Sequence, residues 1–399
     1  MKVPFADFKK HYKQYQTEID QAVSRVLNSG YFILGPELEK FEQEFAELIG
    51  QGFVIGCASG TEAIYLALAV CPVGPGDEVI VVAHTAVPTI SAISMTGATP
   101  VFVDIDPQTY LMDAAQVENL ITPKTRAIIP VHLYGQMVDM QPLLKLAAKH
   151  RLFIIEDVAQ ATGATYKGAI AGTLGDFGTF SFYPSKNIGA FGDGGAVFTK
   201  NKEHFDQLLM LRNYGQSKRY YHDIVGINSR LDEMQAAILS CRMPYLKEWN
   251  SRRREIASRY NENLADLSDV LQTPLTHADN EHVFHLYVIQ VEERDQLQTY
   301  LLERDIQTLI HYPIPAHLQK AYAYLGYNRG NLPVSEHIAD RILSLPIYPE
   351  LTDQQVDLVV DAIYSFLKDR NTRLSKPAAA GTGLKQVQLS QSGSPVAAV

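Results

Sequence analysis

At 399 residues the chain is longer than a single hydrophobic core usually supports, which predicts about two domains. Hydrophobic residues make up 46% and charged residues 20%, so neither a disordered chain nor a membrane bundle fits the bulk of it. The formal net charge of -9 offers no general attraction to nucleic acid or an anionic membrane, and the one basic run, Arg252 to Arg254, reads as the solvated face of a helix.

The N-terminus, MKVPFADFKKHY, has no apolar core of a secretory signal. Cys57, Cys71 and Cys241 are too few and too scattered for a disulfide framework or a paired-cysteine metal site. Together these predict a reducing, cytoplasmic setting and no metal. Strand-like runs at Glu78 to Ala83, Thr99 to Ile105, Ala127 to Leu133 and Leu152 to Asp157 alternate with helical patterns such as Glu62 to Val70 and Met140 to His150. That alternation predicts a parallel sheet flanked by helices. Val79 to Val103 has no charged residue and is long enough to span a bilayer, but His84, Pro88, Gly97 and Pro100 favour a buried strand, a helix and a second strand. After Asp157 the strands at Thr179 to Tyr183 and Gly195 to Thr199 come close together, so the sheet is expected to become mixed.

A long helical stretch, Asp232 to Leu264, forms a natural strut. A smaller unit follows, with a strand at Val283 to Val291 and helices near Asp295 to Asp305, Ser335 to Leu343 and Asp353 to Lys368. Beyond Arg370 the Ala, Gly, Ser, Gln and Lys content predicts a disordered tail.

Three segments carry candidate chemistry. Ser59-Gly60-Thr61-Glu62 opens an apolar helix after a strand. Alone it reads as a capping box, in which Ser59 and Glu62 satisfy each other's amides. Its free helix-start amides and two hydroxyls also make a phosphate cradle. Ile154-Ile155-Glu156-Asp157 is an apolar strand ending in carboxylates, followed by Ala159-Gln160. At the carboxyl end of a strand, Asp157 is placed either to cap a turn or to keep a pyridine nitrogen protonated in a ligand crevice. Ser181-Phe182-Tyr183-Pro184-Ser185-Lys186 follows another strand and leads into Gly189, Gly192, Gly194 and Gly195. Desolvation in such a pocket would lower the lysine's pKa and let it attack as a neutral amine.

With these segments in order, the chain resembles the DegT/DnrJ/EryC1/StrS family of sugar aminotransferases from about Val3 to Lys368. The anchors are GPELEKFEQEFA at Gly35, CASGTEAIYLAL at Cys57, GATPVFVDID at Gly97, IIEDVAQATGA at Ile154, SFYPSKNIGAFGDGG at Ser181 and NSRLDEMQAAIL at Asn228. The resemblance implies the α/β fold of aspartate aminotransferase, fold type I among pyridoxal-phosphate enzymes. A large domain (12–245) would hold a mixed, mostly parallel seven-stranded sheet, with a smaller α/β domain (1–11 and 246–369) and a tail (370–399). It implies pyridoxal 5'-phosphate as cofactor, with pyridoxamine 5'-phosphate formed midway. Lys186 would bind the cofactor covalently and later shuttle a proton, with Asp157 as partner of the ring nitrogen and Gln160 beside the ring. Ser59, Gly60, Thr61 and Ser181 would hold the phosphate. Asn228 would reach the phosphate of a neighbouring subunit, which implies a homodimer with shared active sites. Where the family commonly stacks an aromatic residue on the ring, this chain has Ala86, so either His84 covers that face or the ring is held from below by Ala159 and its neighbours.

The stretches His132 to Gln136, Arg212 to Gly215 and His311 to Pro315 resemble family members that aminate the 3-position of a nucleotide-linked keto sugar. His132, Tyr183, Lys218, Arg219, Tyr221, Arg230, His311 and Tyr312 are the substrate candidates, for a dTDP- or UDP-linked 3-keto hexose with L-glutamate as donor. On residue type alone, His132 is equally a satisfied core histidine, and Lys218, Arg219, Tyr221 and His311 equally a solvated loop. Two other readings are a sugar dehydratase, whose relatives replace the lysine with histidine, and a regulatory protein that kept the fold and lost activity.

Overall fold

The structure, a computed structural model, describes residues 1–374. Apolar, β-branched runs buried on both faces build the central sheet, as parallel strands covered by helices require. Its strands are β1 (Phe53–Cys57), β2 (Glu78–Val82), β3 (Thr99–Val103), β4 (Thr125–Ile129), β5 (Phe153–Asp157), β6 (Phe177–Ser181) and β7 (Gly195–Thr199). They lie in the order β1-β7-β6-β5-β4-β2-β3. Only β7 runs against its neighbours, pairing with β1 and β6, so the sheet is mixed but mostly parallel. Asp157, the last residue of β5, stands opposite Thr179 of β6, which brings the ends of β5 and β6 to one edge.

Several elements are shorter than the sequence predicts. The run Ala127 to Leu133 stops being a strand at Ile129, because Pro130 has no amide to donate. The chain then turns through Leu133–Gly135, with Tyr134 in a left-handed conformation. The strut Asp232 to Leu264 divides into helices Glu233–Arg242 and Leu246–Leu264, joined by a tight turn at Met243–Tyr245 that contains Pro244. The helix expected at Ser335 to Leu343 is a short one, Pro333–Ala339, followed by a strand, Ile342–Leu345. The last helix, Asp353–Leu374, runs past Arg370, and the rest of the expected tail lies outside the described residues.

The Arg252 to Arg254 run corrects the expectation of a solvated face. Successive helical residues turn by about 100°, so Arg252 and Arg254 face outward to Asp353 and Glu281 while Arg253 is buried. The boundary at residue 245 divides the sequence more than the packing. Val283, Leu286, Ala316, Tyr322, Leu332 and Ile338 join the core of the large sheet. Asp104, just after β3, accepts from Val334 N at 2.9 Å and Ser335 N at 2.8 Å, capping the Pro333–Ala339 helix from across the boundary. A second core gathers Val3, Tyr260, Tyr287, Leu345 and Ile363. Among the described residues no helix is long and apolar enough to cross a membrane.

Candidate functional site

The Gly60–Val70 helix begins against the ends of β6 and β7. Ser59 is its extended N-cap, with Oγ accepting from Glu62 N at 3.2 Å. A Cβ at Gly60 would lie 2.7 Å from Ser181 Cβ, and one at Gly195 would lie 2.4 Å from Ser59 O. Only glycine at both places lets the helix-start amides come this close to Ser181. The capping box is half formed. Glu62 does not return to Ser59 but accepts from Ser229 Oγ at 2.5 Å, and Ser229 Oγ in turn accepts from Ala58 N at 3.3 Å. The helix start is thus tied to the Asn228-Ser229-Arg230 stretch.

Neighbouring strand residues point to opposite faces, which gives the two carboxylates ending β5 different tasks. Glu156, fully buried, accepts from Gly172 N, Leu174 N and Gly175 N and pairs with His132 Nε2 at 2.9 Å. Asp157 faces a cavity of about 260 Å³. Its Oδ2 accepts from Thr89 Oγ1 at 2.7 Å and its Oδ1 from Ala159 N at 3.1 Å. Burial lifts its carboxyl above the usual range, opposed by the Thr89 and Ala159 hydrogen bonds and by Lys186. Burial likewise pushes the Lys186 ammonium down to about 8, with Asp157 acting the other way. Ser59, Gly60, Thr61, Ser181, Tyr183 and Ala86 also line this cavity.

Lys186 and Gln160 also line a second, larger cavity of about 540 Å³, closed by the N-terminal segment and the smaller unit. The Gln160 amide is fixed at both ends: Oε1 accepts from Tyr134 N at 2.7 Å, and Nε2 donates to Tyr312 OH at 3.0 Å. His311 lies in the same wall with Nδ1 2.8 Å from Ser344 Oγ, and burial and Lys186 hold it neutral, near pKa 4. Asn187, next to Lys186, is locked by Asn250 at 2.7 Å, Val283 O at 3.1 Å and His285 at 3.1 Å. That network anchors the lysine loop to the Leu246–Leu264 helix.

Not every candidate converges. His132 lines neither cavity; its Nε2 meets Glu156 and its Nδ1 accepts from Val138 N at 3.2 Å, so it is a satisfied core histidine. Arg212 is likewise structural, bonded to Glu42 and, at 2.9 Å, to Gly56 O. His84 is turned away to Tyr134 OH at 2.7 Å, which leaves the face at Ala86 without the histidine cover that was one expectation. Lys218, Arg219 and Tyr221 stand on an exposed hairpin, Lys218 Nζ 4.0 Å from the Tyr221 ring centroid. Asn228 is exposed outside both cavities, and Arg230 donates to Asn213 Oδ1 at 3.2 Å. Sequence reasoning missed Thr89, and it included Tyr134 only as part of the His132 to Gln136 stretch, without its contact to Gln160. Thr89 sits one turn into a helix behind a strand end, and Tyr134 acts through its backbone, which no residue pattern marks.

The match to known proteins decides the family. The model of the DegT/DnrJ/EryC1/StrS aminotransferase family covers residues 13–364. The chain belongs to this family. It is 46% identical to a pleiotropic regulatory protein of Geobacillus stearothermophilus over 92% of this chain and 99% of that one. It is 48% identical to dTDP-3-amino-3,4,6-trideoxy-alpha-D-glucose transaminase of Streptomyces venezuelae over 91% and 95%. Among solved structures, S. venezuelae DesV matches with a TM-score of 0.90 at 47% identity, covering 92% of this chain and 98% of that one. The Bacillus subtilis protein NtdA, solved with bound pyridoxamine phosphate, matches with a TM-score of 0.86 at 36% identity, covering 92% and 85%. This DegT/DnrJ/EryC1/StrS member is a pyridoxal-phosphate-dependent transaminase. Its smaller cavity fits that cofactor by the chemistry of its donors, with helix-start amides and hydroxyls at one end, a buried carboxylate at a strand end, and a lysine of lowered pKa in the wall.

Proposed function

We propose that this aminotransferase moves an amino group from L-glutamate to C3 of a dTDP- or UDP-linked keto hexose. One observation carries the reading: Lys186 stands in the wall shared by a small cavity with cofactor-type donors and a larger one with room for a substrate. When bound, pyridoxal phosphate supplies an electron sink that makes a proton on the reacting carbon removable. Lys186, its ammonium pushed down to about 8 by burial so that a neutral fraction is available, binds the cofactor and then carries that proton. Asp157, kept in place by Thr89 and Ala159, holds the ring nitrogen protonated. Ser59, Gly60, Thr61 and Ser181 would hold the phosphate, and Gln160 and Ala86, in the wall of the same cavity, would flank the ring. Tyr183, His311 and Tyr312 face the sugar.

The active form is a homodimer in which Asn228, Arg230 and the Lys218–Arg219–Tyr221 hairpin serve the neighbouring site. All of them lie outside the cavities of their own subunit, with Asn228, Lys218, Arg219 and Tyr221 exposed and Arg230 half-buried, which supports this. The three unpaired thiols accord with work in the cytoplasm. The dehydratase and inactive regulatory readings both require loss of a residue such as Lys186, Asp157 or Ser181, and all three are in place in the smaller cavity.

The test offers the purified enzyme both the 3-keto and the 4-keto isomer of one nucleotide sugar, with glutamate, and locates the new amine by NMR. A polar pocket discriminates between such isomers by roughly a hundredfold or more. Nitrogen at C4 would refute the regiochemistry, and no turnover of any keto sugar would refute the sugar reading. Mixing the inactive variants Lys186→Ala and Asn228→Ala should restore activity through one intact site per mixed dimer. No recovery despite verified subunit exchange would refute sharing.

A further inference from the structure

Four arginines are buried among the described residues: Arg212, Arg242, Arg253 and Arg294. The two that line neither cavity have carboxylate partners, Arg212 with Glu42 and Arg294 with Asp295 at 2.5 Å. The two that line the larger cavity, Arg242 and Arg253, form no ion pair among the described residues. Arg242 donates to Gly189 O and lies 2.7 Å from His11 Nε2. Arg253 offers NH1 to the carbonyls of Phe284, His285 and Ile347 at 3.2, 3.1 and 2.9 Å. The Nε of each has no partner. Of the two carboxylates in the cavity wall, Asp7 and Glu350, the second is committed to His11 at 2.5 Å. Against them stand five cations, Lys2, Lys9, Lys186, Arg242 and Arg253. Burial holds both guanidinium pKa values down, at about 10, and Glu350, which acts on both without forming an ion pair with either, offsets it only in part.

A buried cation that lines a cavity and has only neutral hydrogen-bond partners is neutralised by an anion brought from outside. The anion must also place an amine at Lys186, in the same wall. His285 links the two points: its carbonyl takes the Arg253 hydrogen bond, and burial first, then Lys186 and Arg253, disfavour its protonation. We infer that the larger cavity is a dicarboxylate site, in which Arg253 and Arg242 bind the carboxylates of the amino donor and present its amine to Lys186. This rests on the aminotransferase reading and adds how the donor is recognised. The reaction's other anion is the nucleotide diphosphate. It is matched instead by the exposed hairpin of Lys218 and Arg219, which needs no enclosed cavity.

Glutarate, a dicarboxylate without amine or keto group, is the probe. Titrated calorimetrically into the pyridoxal-phosphate-loaded enzyme, it should bind saturably, while butyrate binds far more weakly. Arg253→Gln should weaken glutarate by about thirtyfold or more, as expected when one partner of a buried charge contact is lost. Arg253→Lys, which keeps a charge to hold the three carbonyls, should weaken it less. In both, KM for glutamate should rise with KM for the sugar unchanged. dTDP or UDP should leave glutarate binding to the wild-type enzyme unaffected. Absence of glutarate binding to wild type overturns the proposal, as does unchanged affinity in the folded variants. Competition by the nucleoside diphosphate also overturns it and assigns the cavity to the sugar nucleotide. Sugar amination by the wild-type enzyme, scored separately, keeps the aminotransferase reading standing in each case.

Discussion

Replacing Gly60 by alanine tests whether the helix start really forms the phosphate cradle. The added Cβ would stand 2.7 Å from Ser181 Cβ and 3.2 Å from Ser181 Oγ, whereas ordinary contact begins at 3.4 Å. Both Cβ atoms are fixed to backbone, so neither can rotate away, and the gap must open by about 0.7 Å, the difference between 3.4 and 2.7 Å. Overpacking of this kind costs about 1–3 kcal/mol. If that strain is relieved by parting the helix start from Ser181, it falls on the cofactor as a loss of about five- to 150-fold in affinity. The assay is titration of the apo variant with pyridoxal phosphate, followed by absorbance. Gly74→Ala is the control, since the nearest atom to its Cβ is Thr96 O at 3.9 Å, and it should stay within about 0.5 kcal/mol of wild-type stability. A Gly60→Ala enzyme that retains the cofactor as wild type does would show that the phosphate sits elsewhere.

Two further perturbations separate the groups around Lys186. Asp157→Asn keeps the shape and the Thr89 contact but removes the charge, so cofactor binding should survive while turnover falls by about a hundredfold or more; turnover near wild type would leave Asp157 as a turn cap. Burial holds Lys186 near 8 in the folded chain against the ordinary lysine value of 10.5. Between those values the unfolded chain therefore binds more protons, and apoenzyme stability should rise with pH through that window. Below about pH 8 apo Lys186→Leu should be the more stable protein in urea melts, its advantage shrinking as pH climbs toward 10.5; a pH-independent gap would refute the buried-ammonium account.

The fold was legible where local pattern and tertiary packing agree. Met140–His150 and Gly195–Thr199 have the bounds their periodicity predicts, and the mixed sheet follows from the closely spaced strands after Asp157. Errors came where one residue overrules a run: Pro130 ends β4 early, and Pro244 lies where the strut divides. The site was legible as a set of residue types at strand ends, since Lys186, Asp157, Ser181 and the helix start do line one cavity. Contacts made through backbone or across the domain boundary were not. Tyr134 N on Gln160 and Asp104 on the Pro333–Ala339 helix join positions far apart in sequence and leave no periodic trace. His132 shows the converse, a suggestive residue at a strand end whose nitrogens are both consumed inside the core.

The misread arginine run leads to the more general point. A helix face rich in charge is ordinarily solvated, and Arg252 and Arg254 obey that rule while Arg253 does not. Around Lys186 the same departure recurs. Lys186, Arg242 and Arg253 are held toward their neutral forms by burial, and so is Asp157 despite its hydrogen bonds. Away from the cavities the buried arginines carry their own carboxylates. A fold selected for stability alone would supply such partners everywhere. Here the buried charges that form no ion pair among the described residues cluster where a cationic ring and a dicarboxylate would neutralise them. Ligand binding and folding stability are then linked: each ligand that neutralises one of these groups should raise the melting temperature, and go on raising it with the logarithm of its concentration above Kd.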